Sequence, residues 1–294
     1  MAQVKTTYQP QSLTLGDIVL DYLALAKHKL NFIVVITAVL GFIFAGGGLP
    51  GDLVWLFVGG FLVTASANTI NQIIERDFDK LMARTKTRPL PTKRVSVMEA
   101  WLFAGITGLV GLLTLWFAFN QLAAVLGAVS LFSYAFIYTP LKRIHPIAVF
   151  VGAIPGALPP LIGFAAATGT IPLEAVILFL FQFLWQFPHF WAIAWLADKD
   201  YKKAGFKLLP GGERSKRVAV EAFIFCLVLA AFSFAPLYLG FTSIVGALIC
   251  FVAGIFYAFP AFKLMKHQND FWAKKLMYAS FFYLPIVFIA IILG

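Results

Sequence analysis

The chain has 294 residues, of which 61% are hydrophobic and only 12% are charged, and its mean hydropathy is +0.88. This composition excludes a soluble globular domain and predicts an all-α, polytopic protein embedded in the lipid bilayer. The formal net charge of +10 does not indicate nucleic-acid binding, because the basic residues are spread over several loops without a nucleic-acid motif.

The first predicted element is a polar N-terminal stretch of about sixteen residues that lacks the regions of a signal peptide. We therefore expect insertion to depend on the first helix, in a bacterial or archaeal cytoplasmic membrane. That helix is predicted to have a polar lead-in from Leu15 through Asp21 and Lys27. Because a span needs about 20 apolar residues, the sequence predicts nine: 30–47, 53–74, 97–118, 121–139, 146–167, 172–196, 218–238, 242–262 and 274–293.

The charges orient these nine spans. All 23 Lys and Arg residues fall on one face, whereas the loops of the other face carry only Asp52 and Glu174. Basic loops mark the cytoplasmic side of a membrane protein. The sequence therefore predicts a cytoplasmic N-terminus and an external C-terminus. The basic face comprises the N-terminus and the segments 75–96, 140–145, 197–217 and 263–275.

Two large basic loops, after spans 2 and 6, resemble each other. Each opens with acidic residues, continues with Lys and Arg, and contains a Leu-Pro pair before the next span. Internal repeats of this kind are frequent in membrane folds. We expect one intramembrane domain over residues 1–294, with a pseudo-repeat of about 17–145 and 146–294 around a central cavity.

A ladder of polar side chains ends the second span. Asn71, Glu75 and Asp79 are spaced i, i+4 and i+8, and Asn68 and Thr64 extend the same helix face backwards. Carboxylates at membrane depth need a partner, and oxygen ligands suit Mg²⁺. The alternative is a helix end that simply leaves the bilayer, but Asn68 and Asn71 lie too deep for it. The ladder therefore predicts a magnesium site.

Cationic side chains beside the ladder point to a diphosphate, since arginine binds phosphate oxygens in bidentate fashion. The alternative is that these residues only set the topology. The predicted substrate contacts, together with Asn68 and the interfacial Tyr138, are Arg76, Arg84, Lys86, Arg88, Lys142, Arg143, Lys199 and Lys203.

Span 6 carries a second polar stripe. Gln182, Gln186 and His189 share one helix face, and an unkinked helix would add Asp200. Polar groups inside a span favour function over a merely satisfied core histidine. We expect Gln186 to contact substrate, and His189 and Asp200 to be catalytic.

These motifs resemble a known family. Asn71-x3-Glu75-x3-Asp79 followed by Arg84-Thr-x2-Arg88-Pro-Leu resembles the first motif of the UbiA-type intramembrane prenyltransferases. Three further stretches are similar to the branch of that family that farnesylates heme, and the likeness runs from about Lys27 to the last span. They are Tyr138-Thr-Pro-Leu-Lys-Arg143, Trp185-Gln-Phe-Pro-His-Phe-Trp191 and Asp200-Tyr-x2-Ala-Gly205-x3-Leu-Pro210.

The resemblance implies farnesyl diphosphate and heme B as substrates, and heme O and diphosphate as products. It implies Mg²⁺ bound by the ladder, with Asp200 as a further ligand. It also implies a role for His189 at the heme, as an iron ligand or as the base that activates water. The expected location is the inner membrane, with the active site facing the cytoplasm, and a downstream heme-modifying enzyme is a candidate partner.

Two departures from the family pattern stand out. Glu75 occupies a position where many relatives have Asp, and the second Asp-x3-Asp motif is not intact, because Asp198 and Asp200 are two residues apart. Two other functions share parts of the pattern. A quinone-type aromatic prenyltransferase would have the same ladder but no heme. A transporter would place polar groups near the midplane, whereas here the acids cluster at the cytoplasmic ends of the spans.

Overall fold

The computed structural model describes residues 14–294, and within this range every regular element is helical. The predicted location of the N-terminus falls on residues 1–13, outside the described part. The helices are α1 (Leu15–Leu25), α2 (His28–Phe44), α3 (Pro50–Asp79), α4 (Val97–Ala118), α5 (Gln121–Phe132), α6 (Thr139–Leu141), α7 (Ala148–Thr168), α8 (Leu173–Leu196), α9 (Asp198–Lys203), α10 (Lys216–Phe232), α11 (Ala235–Tyr238), α12 (Ile244–His267) and α13 (Asp270–Leu293).

The nine predicted spans are confirmed in number and order. Eight stretches of the described chain are long and apolar enough to cross a membrane, and α1 with α2 forms a ninth if the bent pair counts as one span. These two helices meet at 51°. The bend lies at Lys27, whose left-handed backbone (φ 47°, ψ 49°) turns the chain between them. The predicted polar lead-in is therefore a separate helix.

Helix α3 is the main departure from the predicted bounds. It has 30 residues and runs five residues past the predicted end of its span. At 1.5 Å per residue its length is about 45 Å, which exceeds the roughly 30 Å of the hydrocarbon core. Its C-terminal turns therefore project toward the basic loops, and they carry the polar ladder with them.

Helix α7 contains three prolines yet is one continuous helix. Each proline lacks the N–H group that would donate a hydrogen bond to the carbonyl four residues earlier. Pro160 frees the Gly156 carbonyl, which accepts a hydrogen bond from Gln182 Nε2 at 2.7 Å. Pro159 frees the Pro155 carbonyl, which accepts one from Ser130 Oγ at 3.2 Å. Neighbouring helices thus donate hydrogen bonds to carbonyls that would have no partner in lipid.

Close backbone contact between α2 and α7 gives a first prediction. A Cβ at Gly163 would collide with the carbonyl oxygen of Ala38, a backbone atom that cannot rotate away. We expect Gly163→Ala to lower the free energy of unfolding by about 1–3 kcal/mol, measured by thermal unfolding in detergent. The matched control is Gly105→Ala, since Gly105 lies mid-helix in open space. That change should be neutral or stabilise by up to about 1 kcal/mol. Equal effects of the two substitutions would contradict the packing argument.

Candidate functional site

The predicted ladder is buried as a row inside the protein. Asn68, Asn71, Glu75 and Asp79 are 3%, 1%, 5% and 0% exposed. A helix end that simply leaves the bilayer would expose Glu75 and Asp79 to water. The structure therefore excludes that interpretation of Glu75 and Asp79.

Asn71, Glu75 and Asp79 each contact a different basic side chain. Lys27 Nζ donates to Asn71 Oδ1 at 2.9 Å, and Arg88 Nη1 donates to Asp79 Oδ2 at 2.8 Å. Glu75 forms an ion pair with Lys142, in which both side chains are less than one-tenth exposed. Three basic side chains thus lie beside two carboxylates, and this group of basic side chains suits an anionic ligand such as a diphosphate.

Lys142 stays charged in this setting. Burial by itself lowers the pKa of its ammonium group, but the adjacent Glu75 carboxylate outweighs burial and leaves the pKa above its ordinary value. The Nζ atom also lies 4.9 Å from the centre of the Tyr138 ring and 5.4 Å from that of Phe206. Ring faces attract a cation. Lys142 and Tyr138 therefore lie beside the ladder, and their contact with substrate stays a prediction.

A widened helical turn brings this segment to the ladder. Residues 133–138, between α5 and α6, form a π-helix, a feature frequent at functional sites. The Thr139 hydroxyl donates to the Tyr134 carbonyl at 2.9 Å and accepts from Asn71 Nδ2 at 3.1 Å. Thr139 is thus a site residue that sequence reasoning missed.

Lys27 was also missed, although its position at the start of the first apolar run was noticeable. Its place is fixed by the hinge between α1 and α2. Gln72 Nε2 donates to the carbonyls of Leu25 at 2.7 Å and Ala24 at 3.3 Å, which ties the end of α1 to α3. A left-handed backbone at a non-glycine residue is unfavourable, and such strain is concentrated at functional sites.

The two large basic loops pack against each other near the ladder. Met82 and Phe78 from the first loop region contact Ala204 and Phe206 from the second. The Lys207 amide donates to the Lys142 carbonyl at 2.7 Å. The second loop therefore contributes apolar cover beside Lys142 rather than further charge. Arg143, which is exposed, stacks its guanidinium 3.9 Å from the centre of the Phe78 ring.

Several predicted substrate contacts are not brought to the ladder. Arg76 donates to the Ile73 carbonyl at 3.2 Å and lies 3.7 Å from Asp77. The remaining four are exposed, and within residues 14–294 none is hydrogen-bonded or ion-paired to the ladder. Their phosphate contacts stay predictions. These four residues are Arg84, Lys86, Lys199 and Lys203.

The acids of α9 also differ from expectation. The helix is interrupted at Ala197 (φ −93°, ψ 6°), so the unkinked stripe from His189 to Asp200 does not form. Asp198 is the buried acid, and it pairs with Lys202 at 3.0 Å and Arg214 at 3.6 Å. In the described range no three His, Cys, Asp or Glu side chains are grouped for a metal. Asp200 is therefore not assembled with Glu75 and Asp79.

The ladder by itself still has the donor chemistry of a Mg²⁺ site. Asn71, Glu75 and Asp79 offer only oxygen donors on adjacent turns, which hard cations prefer. Asp79 Oδ1 is buried and has no hydrogen-bond partner among the described residues. An unpaired buried carboxylate oxygen is costly. A cation with further oxygen ligands from phosphate or water would satisfy it.

The two glutamines of span 6 hold helices together. Gln186 Nε2 donates to the carbonyls of Ala153 at 2.9 Å and Gln182 at 3.1 Å. Gln182 also donates to Thr37 at 3.3 Å. These contacts explain both buried amides through helix packing, and substrate contact by Gln186 stays a prediction.

His189 lies against α13. Its Nδ1 atom is 2.6 Å from Ser280 Oγ, and its ring stacks on Trp185 with 4.6 Å between ring centres and 17° between planes. The ring is 7% exposed. Within the described residues it has no hydrogen bond to the ladder, so the structure shows two separate polar centres.

Comparisons with known proteins identify the family and the fold. The model of the UbiA prenyltransferase family matches residues 34–286. A protoheme IX farnesyltransferase of Cytophaga hutchinsonii is 46% identical over 275 residues, which cover 92% of this chain and 96% of that protein. A structure of digeranylgeranylglyceryl phosphate synthase has a TM-score of 0.77 at 23% identity, over 94% of this chain and 98% of that one. A UbiA homologue from Archaeoglobus fulgidus bound to GPP and Mg²⁺ has a TM-score of 0.70 at 19% identity, over 92% and 99%.

Proposed function

The chain belongs to the UbiA prenyltransferase family, and we propose that it transfers a farnesyl group from farnesyl diphosphate to a vinyl group of heme B, giving heme O. The observation that carries the proposal is the buried row of Asn71, Glu75 and Asp79 with a cation on each rung. Heme as the acceptor is supported by the 46% identity of the chain to a protoheme IX farnesyltransferase.

The residues of the ladder would hold the divalent cation, and GPP and Mg²⁺ are bound together in a relative of the same fold. Bound Mg²⁺ would supply Lewis-acid stabilisation of the charge that develops on the departing diphosphate. Lys27, Arg88 and Lys142 already lie along the ladder and are in place to neutralise the remaining phosphate charge. Such fixed charges need no reorganisation during the reaction.

The proposed reaction joins the farnesyl group, a heme vinyl group and water, and it releases diphosphate and one proton. The allylic carbon–oxygen bond of farnesyl diphosphate breaks, and diphosphate leaves with the electron pair. The heme vinyl group bonds to the allylic carbon, water adds to the resulting cation, and one proton is released. Burial of the ladder and the apolar cover from Met82 and Phe206 exclude bulk water from the first cation.

The orientation of the site follows from charge. We propose that the multi-pass protein lies in the inner membrane with the ladder on the cytoplasmic side. The loops beside the ladder belong to the face that carries all 23 Lys and Arg residues, and such loops stay in the cytoplasm. The proposed partner is a downstream heme-modifying enzyme that would receive the heme O product.

Product identity tests the proposed acceptor. Membranes that contain the chain are incubated with farnesyl diphosphate and either heme B or a hydroxybenzoate, and the products are analysed by mass spectrometry. We expect a farnesylated, hydrated heme and no prenylated benzoate. The reverse result would assign the chain to the quinone-type enzymes.

Metal dependence is a separate prediction. Addition of a chelator is expected to abolish heme O formation, and added Mg²⁺ should restore it, because the ladder offers only oxygen donors. Membranes treated with the chelator already saturated with Mg²⁺ serve as the control. Full turnover in excess chelator would contradict a metal site.

A further inference from the structure

Ser280 fixes which ring nitrogen of His189 carries the proton. The Ser280 hydroxyl is 2.5 Å from the Met277 carbonyl oxygen and 2.6 Å from His189 Nδ1. A carbonyl oxygen can only accept a hydrogen bond, so the single hydroxyl hydrogen belongs to the Met277 contact. Back-bonding of this kind is usual for serine in a helix. When the Ser280 hydroxyl donates to Met277, Nδ1 donates to Ser280 and Nε2 carries the lone pair.

The same turn of α13 also fixes the orientation of the ring. Trp185, stacked on His189, donates its Nε1 hydrogen to the Ser280 carbonyl at 2.8 Å. Tyr257 donates its hydroxyl hydrogen to the Trp185 carbonyl at 3.3 Å. His189 thus has a set tautomer and a set plane. Pre-organisation of both is what a metal-binding histidine requires.

The surroundings of His189 favour a role as an iron ligand over a role as a base. The rings of Phe190 and Phe281 lie edge-on at 5.5 and 5.3 Å between ring centres. In the described part of the chain, Nε2 has no hydrogen-bond partner and no carboxylate contacts the ring. A base would become a buried imidazolium without a counter-ion, which is costly. A ligand to iron stays neutral, so this environment favours ligation.

We propose that Ser280 is a positioning residue that holds His189 as its Nδ1-protonated tautomer, so that Nε2 ligates the iron of the heme substrate. The inference rests on the proposed function, since heme is the acceptor there. Ligation would orient the macrocycle and its reacting vinyl group without taking part in bond formation. Partners behind a ligating histidine usually set its tautomer in this way.

Titration of ferric heme B into the purified full-length chain tests the proposal without requiring turnover. The Soret spectrum and the heme Kd are measured for the wild type, Ser280→Ala, Ser280→Thr, His189→Ala and Ser233→Ala. We expect Ser280→Ala to weaken heme binding about 10- to 100-fold, with recovery in Ser280→Thr. Ser233 is the matched control, since it is fully buried at the C-terminal end of α10 and donates to the Leu229 carbonyl at 3.1 Å, and Ser233→Ala should leave the heme Kd unchanged.

His189→Ala is expected to remove the histidine-ligated spectrum, and added imidazole should restore it. An unchanged spectrum in His189→Ala, or an unchanged Kd in Ser280→Ala, would overturn the inference even if heme O is formed. Equal loss of heme and farnesyl diphosphate binding in Ser280→Ala would also overturn it, because it would assign Ser280 to packing alone. If the wild type binds heme through His189 but forms no heme O, the proposed function fails and the inference stands.

Discussion

Replacing Asp79 by Asn is expected to lower heme O formation at least about 10³-fold in a chain that still folds and inserts. The change keeps the size of a side chain that is fully buried but removes the charge on the oxygen that has no hydrogen-bond partner among the described residues. Loss of a metal carboxylate removes several kcal/mol of transition-state stabilisation, and each 1.36 kcal/mol is tenfold in rate. Turnover is measured as heme O by mass spectrometry.

Asp77 provides the matched control on the same helix. Its side chain is 59% exposed and pairs with Lys80 at 2.8 Å, on the face away from the ladder. Asp77→Asn should retain near-normal turnover and Mg²⁺ dependence. Near-normal turnover in Asp79→Asn, or equal losses in the two variants, would rule out the ladder as the site of chemistry.

Replacing Lys142 by Met is expected to lower the free energy of unfolding by about 3–5 kcal/mol, because it leaves Glu75 buried without its counter-ion. The double variant Glu75→Gln, Lys142→Met removes both charges and should recover most of that stability. It should nevertheless form no heme O, since it lacks a metal ligand and a phosphate-binding cation. Thermal unfolding in detergent measures the first effect, and product mass measures the second.

Arg143→Met is the stability control for this cycle. Arg143 is the next residue, is exposed, and stacks on Phe78, so its replacement should change the free energy of unfolding by at most about 0.5 kcal/mol. A Lys142→Met chain as stable as the wild type would show that Glu75 is not buried as a charge. A double variant less stable than Lys142→Met would lead to the same conclusion.

Much of the fold could be predicted from the sequence because bilayer thickness sets the length of every span. The nine spans were found in the right order, with bounds close to those observed for α4, α7 and α8. Hydropathy alone ended the second span at residue 74, and only the helical spacing of the ladder predicted that the helix continues to Asp79, as observed for α3. The bend at Lys27 depends on a left-handed residue and on Gln72, which no periodicity reveals.

The candidate site was predictable where it follows one helix. Asn71, Glu75 and Asp79 share a face by helical geometry alone, and the structure buries all three. Gln186 shows the limit of the same reasoning. Its position inside a span suggested substrate contact, but its amide donates to the Ala153 carbonyl of α7 and to the Gln182 carbonyl of its own helix. The contact with Ala153 depends on a residue far away in the chain.

The sequence by itself determined the helical membrane class, the basic face and the polar row on α3, since each depends on local composition or on the helical period. Only the tertiary structure decided which of the 23 Lys and Arg residues meet that row. Lys27, Arg88 and Lys142 do so because a hinge, a loop and a π-helical turn position them, and Lys27 and Lys142 come from segments far from the row in the chain. The contact between His189 and Ser280, which lies on a helix about ninety residues later, was decided in the same way.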